Sequence, residues 1–400
     1  MVVGLGANGD VKAYGCIGKK YCENKIFKTG IKMKYLVLAN NSGGLYRFRK
    51  ELMEHLIEDG HIVYAVTPFD TSVDELKLLG INLIEAEMNR RGTNPLQELS
   101  LLNSYRRIIK KIHPDMIITY TIKPGIYGGL LARKAKIPYA VNITGLGTTF
   151  QKEGLFRTAI VKLWRAALKS AQCVFFENEE NAQVFGNLNI VGKSKIHVLP
   201  GAGVNLEDFP FSEYPMSDEQ IHFLFIGRVM KEKGIDELLT AMQQLYPKYP
   251  NIILDVVGWC EEDYEAKLQE LQDQGLVQFY GFQNDVKPFI SKAHAFVLPS
   301  YHEGMANTLL EAAAMGRPLI TSNIHGCMEA VENGKTGFLC EVKNVQALVN
   351  QMECFINLSH EEKMRMGELA HEYVATLFDK QNVVKLTSDI LKLSCKEIEK

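Results

Sequence analysis

Two glutamates eight positions apart lie in the segment of this chain that is best suited to chemistry. Glu303 and Glu311 bound the sequence Glu-Gly-Met-Ala-Asn-Thr-Leu-Leu-Glu, which follows the short apolar run Ala295–Pro299. The apolar run predicts a buried parallel strand, and the following residues predict a helix from Gly304 to Met315. The amino terminus of a helix offers unpaired N–H groups and a positive dipole end, which suit a phosphate. The alternative is an ordinary strand-to-helix corner that carries two solvated glutamates.

A second strand-to-helix loop carries two cations. The sequence Gly-Arg-Val-Met-Lys-Glu-Lys-Gly, residues 227–234, follows the apolar run Ile221–Ile226 and precedes a helical pattern at Ile235–Leu245. Arg228 offers a planar fork and Lys233 a point charge, and this pair suits a diphosphate. In open α/β sheets, ligands bind beyond the carboxyl ends of the strands. The two loops together predict a nucleotide diphosphate site, with the cations on the phosphates and a carboxylate on the ribose.

The order of these motifs resembles that of the retaining family-4 glycosyltransferases, from about Met33 to Phe378. The matching motifs are Gly227-Arg228, Glu232-Lys233-Gly234, Leu298-Pro299-Ser300, Glu303 to Glu311, Gly316-Arg-Pro318, Pro200 to Asn205 with Phe209, Gly326 to Glu329 and Asn333 to Phe338. Within the family, the chain is most similar to bacterial capsule enzymes and to enzymes that extend glycans linked to undecaprenyl diphosphate. The resemblance implies the GT-B fold, in which two Rossmann-like domains face each other and a last helix crosses back to the first domain.

The resemblance also assigns roles to individual residues. Arg228 and Lys233 would neutralise the leaving diphosphate and Glu303 would hold hydroxyls of the donor sugar, so these three are the candidate catalytic residues. The candidate donor-binding residues are Gly43, Gly44, Gly227, Gly304, Met305, Ala306, Asn307, Thr308, Leu309 and Glu311, with Glu311 on the ribose. The candidate acceptor-binding residues are Tyr120, Lys123 and Thr144. Histidines that many family members carry in these acceptor-side loops are absent here, so no role is assigned to a histidine.

Two of these assignments have structural alternatives. Gly43 and Gly44 follow the first predicted strand and would let the backbone approach a ligand, but a tight turn with positive φ explains them equally well. Lys123 is a candidate for the acceptor's diphosphate, or else an ordinary solvated loop lysine. The sequence has no Asp-x-Asp motif, histidine cluster or cysteine pair that would predict a divalent metal site. We therefore expect neither a metal nor another cofactor.

Composition and periodicity predict an α/β protein. The 400 residues are 46% hydrophobic and 23% charged, and no apolar run reaches the roughly 18 residues that span a bilayer. The eight cysteines form no Cys-x-x-Cys pair, and Cys173 and Cys340 lie in apolar runs, so a reducing cytoplasm is expected. Strand patterns alternate with helix patterns, which indicates parallel sheets with right-handed crossovers. Two helical stretches, at 344–375 and 379–396, are predicted to close the chain.

The alternation predicts the domain organisation. Residues 33–204 are expected to form an acceptor-side Rossmann-like domain, residues 205–378 a nucleotide-sugar domain, and residues 379–400 a helix that packs back on the first domain. Residues 1–32 are expected to be a poorly ordered extension ahead of a natural start at Met33. The Gly-x-Gly-x-x-Gly sequence at residues 4–9 matches the dinucleotide fingerprint, but neither a good strand nor a helix pattern flanks it. A dehydrogenase therefore fits worst.

Charge is distributed unevenly along the chain. Residues 33–205 carry a net charge of +7 and residues 206–400 carry −13. A basic amino-terminal half suits a lipid diphosphate or an anionic membrane surface, and nucleic acid ranks last because no nucleic-acid module is recognisable. The amphipathic segment Leu155–Lys169 places Phe156, Ile160, Leu163, Trp164 and Ala167 on one face and Lys162, Arg165 and Lys169 opposite. A surface helix packed on its own sheet is favoured over membrane insertion, and its basic face still suits anionic headgroups.

The residues and the resemblance together predict a retaining glycosyltransferase. It would move a hexose or N-acetylhexosamine from a nucleotide sugar, by default a UDP-sugar, to a lipid-diphosphate-linked glycan in polysaccharide assembly. The expected location is the cytoplasm, peripherally on the inner face of the plasma membrane. Two alternatives remain open: a nucleotide-sugar 2-epimerase on the same fold, which needs no acceptor, and an inactive nucleotide-sugar-binding scaffold of an assembly complex. The four residues Arg228, Lys233, Glu303 and Glu311 argue against the scaffold.

Overall fold

The computed structural model describes residues 3–5, 11–13, 32–88, 94–146, 150 and 154–396 of the chain. Near the amino terminus the described backbone is a small antiparallel pair of strands, β1 (Val3–Leu5) and β2 (Val11–Ala13). The glycine fingerprint therefore begins inside a strand whose next described element is another strand rather than the helix of a dinucleotide site. The rest of the predicted extension lies outside the described residues.

Seven parallel strands form the first sheet. They are β3 (Lys34–Leu38), β4 (Ile62–Thr67), β5 (Asn82–Glu85), β6 (Met116–Tyr120), β7 (Tyr139–Ile143), β8 (Cys173–Phe176) and β9 (Ile196–Val198). Their order across the sheet is β5-β4-β3-β6-β7-β8-β9. The accompanying helices are α1 (Ser42–Glu58), α2 (Val73–Leu78), α3 (Pro95–Ile112), α4 (Ile122–Ala135), α5 (Leu155–Leu168) and α6 (Glu179–Asn187). We call this sheet with α1–α6 the N-terminal domain.

Six parallel strands form the second sheet. They are β10 (Ile221–Ile226), β11 (Ile252–Val257), β12 (Val277–Phe279), β13 (Ala295–Leu298), β14 (Leu319–Ser322) and β15 (Gly337–Cys340), in the order β12-β11-β10-β13-β14-β15. The helices are α7 (Ile235–Leu245), α8 (Glu265–Asp273), α9 (Lys287–Lys292), α10 (Asn307–Ala314), α11 (Val345–Ile356) and α12 (His360–Leu377). Helices cover both faces, so every residue of β10 is buried, as its continuous apolar sequence predicts. We call this unit the C-terminal domain.

The last helix, α13 (Lys380–Lys396), returns to the N-terminal domain. Its Val384 and Leu391 share a buried cluster with Leu45 and Leu52 of α1, and Lys392 forms an ion pair with Asp59 at 2.7 Å. Two parallel sheets with this returning helix confirm the predicted fold class. No helix in the described part of the chain is both long and apolar enough to cross a membrane.

The sequence prediction differs from the structure in four places. It contained neither the six-residue helix α2 nor the edge strand β15. The single helical stretch predicted at 344–375 is two helices, α11 and α12, because Ser359 caps a new helix with Glu362 in a capping box. The helix predicted from Gly304 begins at Asn307, so Glu311 lies just over one turn into α10 rather than two.

Arg317 is a fully buried cation inside the C-terminal domain. Its exposed fraction is 0%, and burial lowers the pKa of its guanidinium to about 10. The guanidinium donates to the carbonyl oxygens of Ile290 and Glu213 at 2.8 Å each and to the hydroxyl of Ser212 at 2.5 Å. These acceptors lie in two separate segments, so Arg317, two residues before β14, joins α9 to the segment that enters the domain.

Replacing Arg317 with methionine should lower the free energy of unfolding by about 3–5 kcal/mol, because each buried acceptor left unpaired costs about 1–3 kcal/mol. Urea denaturation of the purified protein measures this change. The control is Arg365→Met, which removes an exposed guanidinium that pairs with Glu368 on α12 and should change the stability far less. Equal losses in the two variants would show that the buried network does not stabilise the domain.

Candidate active site

Lys233 and Glu303 form an ion pair at the carboxyl ends of neighbouring strands. Lys233 lies in the loop after β10 and Glu303 in the loop after β13, and their side chains meet at 2.5 Å. Ser300 donates its hydroxyl to the same carboxylate oxygen at 2.7 Å. Both charged side chains are mostly buried, with exposed fractions of 19% and 11%. The structure thus brings two of the three candidate catalytic residues together and adds Ser300 to them.

Arg228, the third candidate, has a different partner. Its guanidinium lies 3.8 Å from the carboxylate of Glu261, which also accepts a hydrogen bond from the indole of Trp259 at 3.1 Å. The Arg228 side chain is 39% exposed. The loop that carries it approaches the loop after β11 so closely that a Cβ on Gly258 would lie 1.8 Å from the carbonyl oxygen of Gly227. Arg228 is therefore a tethered but accessible cation.

Glu311 is buried and paired with the other domain. Its exposed fraction is 4%, and Nη2 of Arg47, on α1 of the N-terminal domain, donates to its two oxygens at 2.9 and 2.7 Å. Burial raises the pKa of the Glu311 carboxyl, and the charge of Arg47 opposes that rise. The residue predicted to bind ribose is thus held by an arginine that the sequence prediction did not include.

The amides around the start of α10 are only partly used. The N–H of Met305 donates to the carboxylate of Glu177, and the N–H of Ala306 donates to the carbonyl of Gly326 at 2.8 Å. Among the described residues, the amides of Asn307 and Thr308 have no acceptor, and the buried Oδ1 of Asn307 has no donor. The N–H of Leu309 bonds to the carbonyl of Ala306, inside the turn that begins the helix. Of the five candidate donor-binding residues from Met305 to Leu309, Asn307 and Thr308 therefore have a backbone amide available to an anion.

Glu177 and its neighbours belong to the N-terminal domain. The Glu177 carboxylate is buried, which raises its pKa, and Arg49 counteracts this by pairing with it at 2.6 Å. The guanidinium of Arg49 lies over the ring of Tyr120, 4.8 Å from the ring centroid. Tyr120, a predicted acceptor contact, is only 5% exposed because it is the last residue of β6 and Arg49 covers it, and its role stays a prediction.

The loop that contains Glu303 rests directly on the N-terminal domain. Nδ2 of Asn178 donates to the carbonyl oxygens of Glu303 and Gly304 at 3.3 and 2.6 Å. A Cβ on Gly304 would lie 2.0 Å from the carbonyl oxygen of Thr144, so only glycine fits this approach. Thr144, predicted on the acceptor side, therefore lines the seam between the domains next to the Glu303 loop.

The remaining predicted residues have partners within the N-terminal domain. Gly43 donates its N–H to Asp70 at 3.1 Å and Gly44 donates to Asn41, the residue that caps α1. Neither glycine has positive φ, so the tight-turn alternative was wrong. A Cβ on Gly43 would instead lie 2.1 Å from Oγ1 of Thr71, so close packing demands glycine there.

Lys123 and the segment Leu155–Lys169 face different surroundings. Lys123 pairs with Glu98 at 2.5 Å, so it is not the freely solvated lysine of the alternative explanation. On α5, Trp164 and Ala167 are buried as predicted, whereas Leu163 is 40% exposed and was wrongly placed on the apolar face. Lys162, Arg165 and Lys169 are exposed, and the side chain of Phe156 lies outside the described residues.

Several residues at the seam were not predicted, although one signal was available. Glu177 and Asn178 directly follow the apolar strand β8, and that position was the criterion that selected the other candidates. No such signal was available for Arg47, Arg49 and Lys380. Each lies in a helix and pairs with a carboxylate that is distant in the sequence. Within the described residues, no group of three or more histidine, cysteine or acidic side chains is placed to hold a metal ion.

Two family descriptions match this chain. "Glycosyl transferase 4-like" matches residues 35–178, and "Glycosyl transferases group 1" matches residues 208–373. The first match covers most of the N-terminal domain and includes Arg47, Glu177 and Asn178. The second covers most of the C-terminal domain and includes Arg228, Lys233, Glu303 and Glu311.

Named relatives resemble the chain over much of its length. The N,N'-diacetylbacillosaminyl-diphospho-undecaprenol α-1,3-N-acetylgalactosaminyltransferase of Campylobacter jejuni is 29% identical, covering 84% of this chain and 92% of the relative. The UDP-Gal:α-D-GlcNAc-diphosphoundecaprenol α-1,3-galactosyltransferase of Escherichia coli is 28% identical, covering 66% and 71%. The structure of Anabaena HepE in complex with UDP and glucose superposes with a TM-score of 0.74 at 18% identity, covering 90% and 99%. The chain therefore belongs to the glycosyltransferases that join a glycosyl transferase 4-like domain to a group 1 domain, and it is an enzyme of that class with the GT-B fold.

Proposed function

We propose that this glycosyltransferase moves a hexose or N-acetylhexosamine from a UDP-sugar to a lipid-diphosphate-linked glycan, with retention of the anomeric configuration. The observation that carries the proposal is the buried Lys233–Glu303 pair, which stands just before α10 and its second carboxylate, Glu311. The names of the two curated relatives support the acceptor class, since both act on undecaprenyl-diphosphate-linked sugars. Both relatives also form α-1,3 linkages, and the Escherichia coli enzyme uses UDP-Gal.

The donor would lie between the two strand-end loops of the C-terminal domain. Lys233 and Arg228 would face the diphosphate, the free amides of Asn307 and Thr308 would donate to its oxygens, and Glu311 would accept hydroxyls of the ribose. Negative charge develops on the diphosphate as the bond to the anomeric carbon breaks, and groups aimed at that charge lower the barrier. The two cations supply the neutralisation that a metal supplies in other transferases, so the proposed mechanism uses no metal.

Glu303 would orient the donor sugar rather than attack it. Its carboxylate already accepts from Lys233 and Ser300, which fixes its direction and weakens it as a nucleophile. Retention would then follow from attack of the acceptor hydroxyl on the face that the diphosphate leaves, with a phosphate oxygen taking the proton of the hydroxyl. The contacts of the enzyme to the donor would be strongest in the transition state. Contacts of that kind raise kcat rather than only the affinity for the donor.

The acceptor would approach from the N-terminal domain. This half of the chain carries +7, and α5 exposes Lys162, Arg165 and Lys169 beside the apolar Leu163. A lipid-linked acceptor lies in a membrane whose cytoplasmic leaflet is anionic, so this surface would hold the enzyme peripherally on that leaflet. The proposed location is the cytoplasmic face of the plasma membrane, in the assembly of a surface glycan.

The direct test is turnover across a panel of UDP-hexoses and UDP-N-acetylhexosamines with a short polyprenyl-diphosphate-linked sugar as acceptor. Lys233→Ala should reduce turnover roughly 10²–10³-fold, because it removes a charge aimed at the developing negative charge. The rate should not change on addition of EDTA. Lys248→Ala, which removes an exposed lysine paired with Glu353, is the control.

Three outcomes of this test would contradict the proposal. Release of UDP with a rearranged sugar and no acceptor would identify an epimerase. Tight UDP binding without turnover of any donor would indicate a scaffold. Loss of activity on chelation, restored by Mg²⁺ or Mn²⁺, would overturn the metal-free mechanism.

Arg47 should compete with the nucleotide for Glu311. Ribose hydroxyls can reach this buried carboxylate only after Nη2 of Arg47 has left it, so Arg47→Ala should strengthen UDP binding about two- to tenfold. Calorimetry with UDP measures this, and Lys50→Ala is the matched control, because Lys50 lies on the same helix and pairs with Asp208 instead. Glu311→Gln should weaken UDP binding. Weaker binding by Arg47→Ala would mean that Arg47 contacts the nucleotide itself.

Reversing Lys162, Arg165 and Lys169 to glutamate should release the protein from anionic vesicles. Each basic residue near the surface contributes about 1 kcal/mol, screened at high salt. Turnover on a lipid acceptor should fall, while hydrolysis of the donor should not, since the donor site is in the other domain. Co-sedimentation with phosphatidylglycerol vesicles at low and high salt measures the binding.

The control for this surface makes the same change in net charge at Lys248, Lys267 and Lys335 of the C-terminal domain. Vesicle binding should survive that change. If the wild-type protein stays in the supernatant at low salt, the membrane surface is not a partner and a soluble acceptor fits better.

A further inference from the structure

Asn178 is a buried side chain whose two polar atoms serve two different domains. It is 3% exposed and is the cap of α6, where its Oδ1 accepts the N–H of Asn181 at 2.9 Å. Its Nδ2 points the other way and donates to the backbone carbonyls of Glu303 and Gly304 in the C-terminal domain. Capping requires only the oxygen, and Ser, Thr or Asp would supply it equally well. The amide nitrogen therefore has a separate purpose.

The segment that Asn178 holds lies close to backbone of both domains. The carbonyl of Thr144 and the carboxylate of Glu177 lie 2.0 and 2.9 Å from where a Cβ of Gly304 would be. Within the C-terminal domain, a Cβ on Gly326 would lie 2.8 Å from Glu303. The loop is thus clamped between the N-terminal domain and a turn of its own domain, and Asn178 supplies the side-chain hydrogen bonds that reach its backbone carbonyls across the seam.

We propose that Asn178 is a positioning residue for Glu303, so that the N-terminal domain fixes the direction of the carboxylate that orients the donor sugar. The side chain of Glu303 is held from within its own domain by Lys233 and Ser300, and its backbone is held from the other domain by Asn178. The alignment of Glu303 is then complete only when the domains are closed. The functional part of this inference rests on the proposed role of Glu303.

Asn178→Asp isolates this contact, because aspartate keeps the cap of α6 but replaces the donor by an oxygen facing two carbonyl oxygens. Hydrogen exchange of the amides of residues 303–306 should speed up at least tenfold. The kcat of the best donor and acceptor pair should fall at least tenfold. The Kd for UDP alone should stay within about twofold, since no proposed nucleotide contact is changed.

Two further variants keep the test decisive. Asn344→Asp makes the same exchange at the cap of α11, where Oδ1 accepts from Ala347 and Nδ2 donates to Glu341, and it should alter neither exchange nor kcat. Asn178→Ser retains a capping oxygen without the reach or the added charge of aspartate. It should reproduce the loss of kcat, and it replaces the aspartate variant if that one unfolds.

Unchanged exchange at residues 303–306 would show that Asn178 does not hold the loop, and faster exchange with unchanged kcat would overturn its role in positioning. A drop in UDP affinity as large as the drop in kcat would also overturn it, because the contact would then act on the whole nucleotide site. If Glu303→Gln leaves turnover unchanged, the proposed role of Glu303 fails. The exchange measurement still decides whether Asn178 holds the loop.

Discussion

The pairing of buried polar groups across the seam between the two domains is the constraint on which the site depends. Glu311 is almost fully buried, and a carboxylate in such a place is stable in its charged form only if a partner offsets its lost hydration. That partner, Arg47, belongs to the other domain. The carbonyls of Glu303 and Gly304 also have a partner in the other domain, because Asn178 donates hydrogen bonds to both. Separating the domains would return these groups to water, so the seam is held by contacts that solvent can replace.

The charge distribution of the chain fits this kind of seam. The basic N-terminal domain supplies Arg47 and Lys50, and the acidic remainder supplies Glu311 and Asp208. Lys380, at the start of α13, is an exception because it is a cation supplied by the acidic remainder. Burial lowers its pKa to about 8, and Glu51 on α1 opposes that shift. A seam of this polar kind permits relative motion of the domains more readily than a large apolar interface does.

The sequence was most informative where one physical rule applied. Parallel strands end at one edge of a sheet, so charged residues in the loops after apolar runs identified Lys233 and Glu303, which the structure places in contact. The rule also selected Tyr120, which still lies within the sheet as the last residue of its strand and is covered by Arg49, and its acceptor role stays a prediction. It was not applied to Glu177 and Asn178, although they follow β8 in the same way. Arg47 could not be found by any local pattern, since its partner is set by how the domains meet. The six-residue helix α2 is too short to give a clear period.

The two carboxylates of the proposed donor site are prepared for their ligands in different ways. Lys233 holds Glu303 from within the same domain, so this pair persists whatever the position of the N-terminal domain. Arg47 holds Glu311 from the other domain, so that pair exists only while the domains are closed. Opening the seam therefore frees Glu311 and leaves Glu303 paired. In the proposed function, the nucleotide would enter by replacing Arg47 at Glu311. Closure would then restore the contact from Asn178 to the Glu303 loop, so recognition of the nucleotide would precede the final alignment of the sugar.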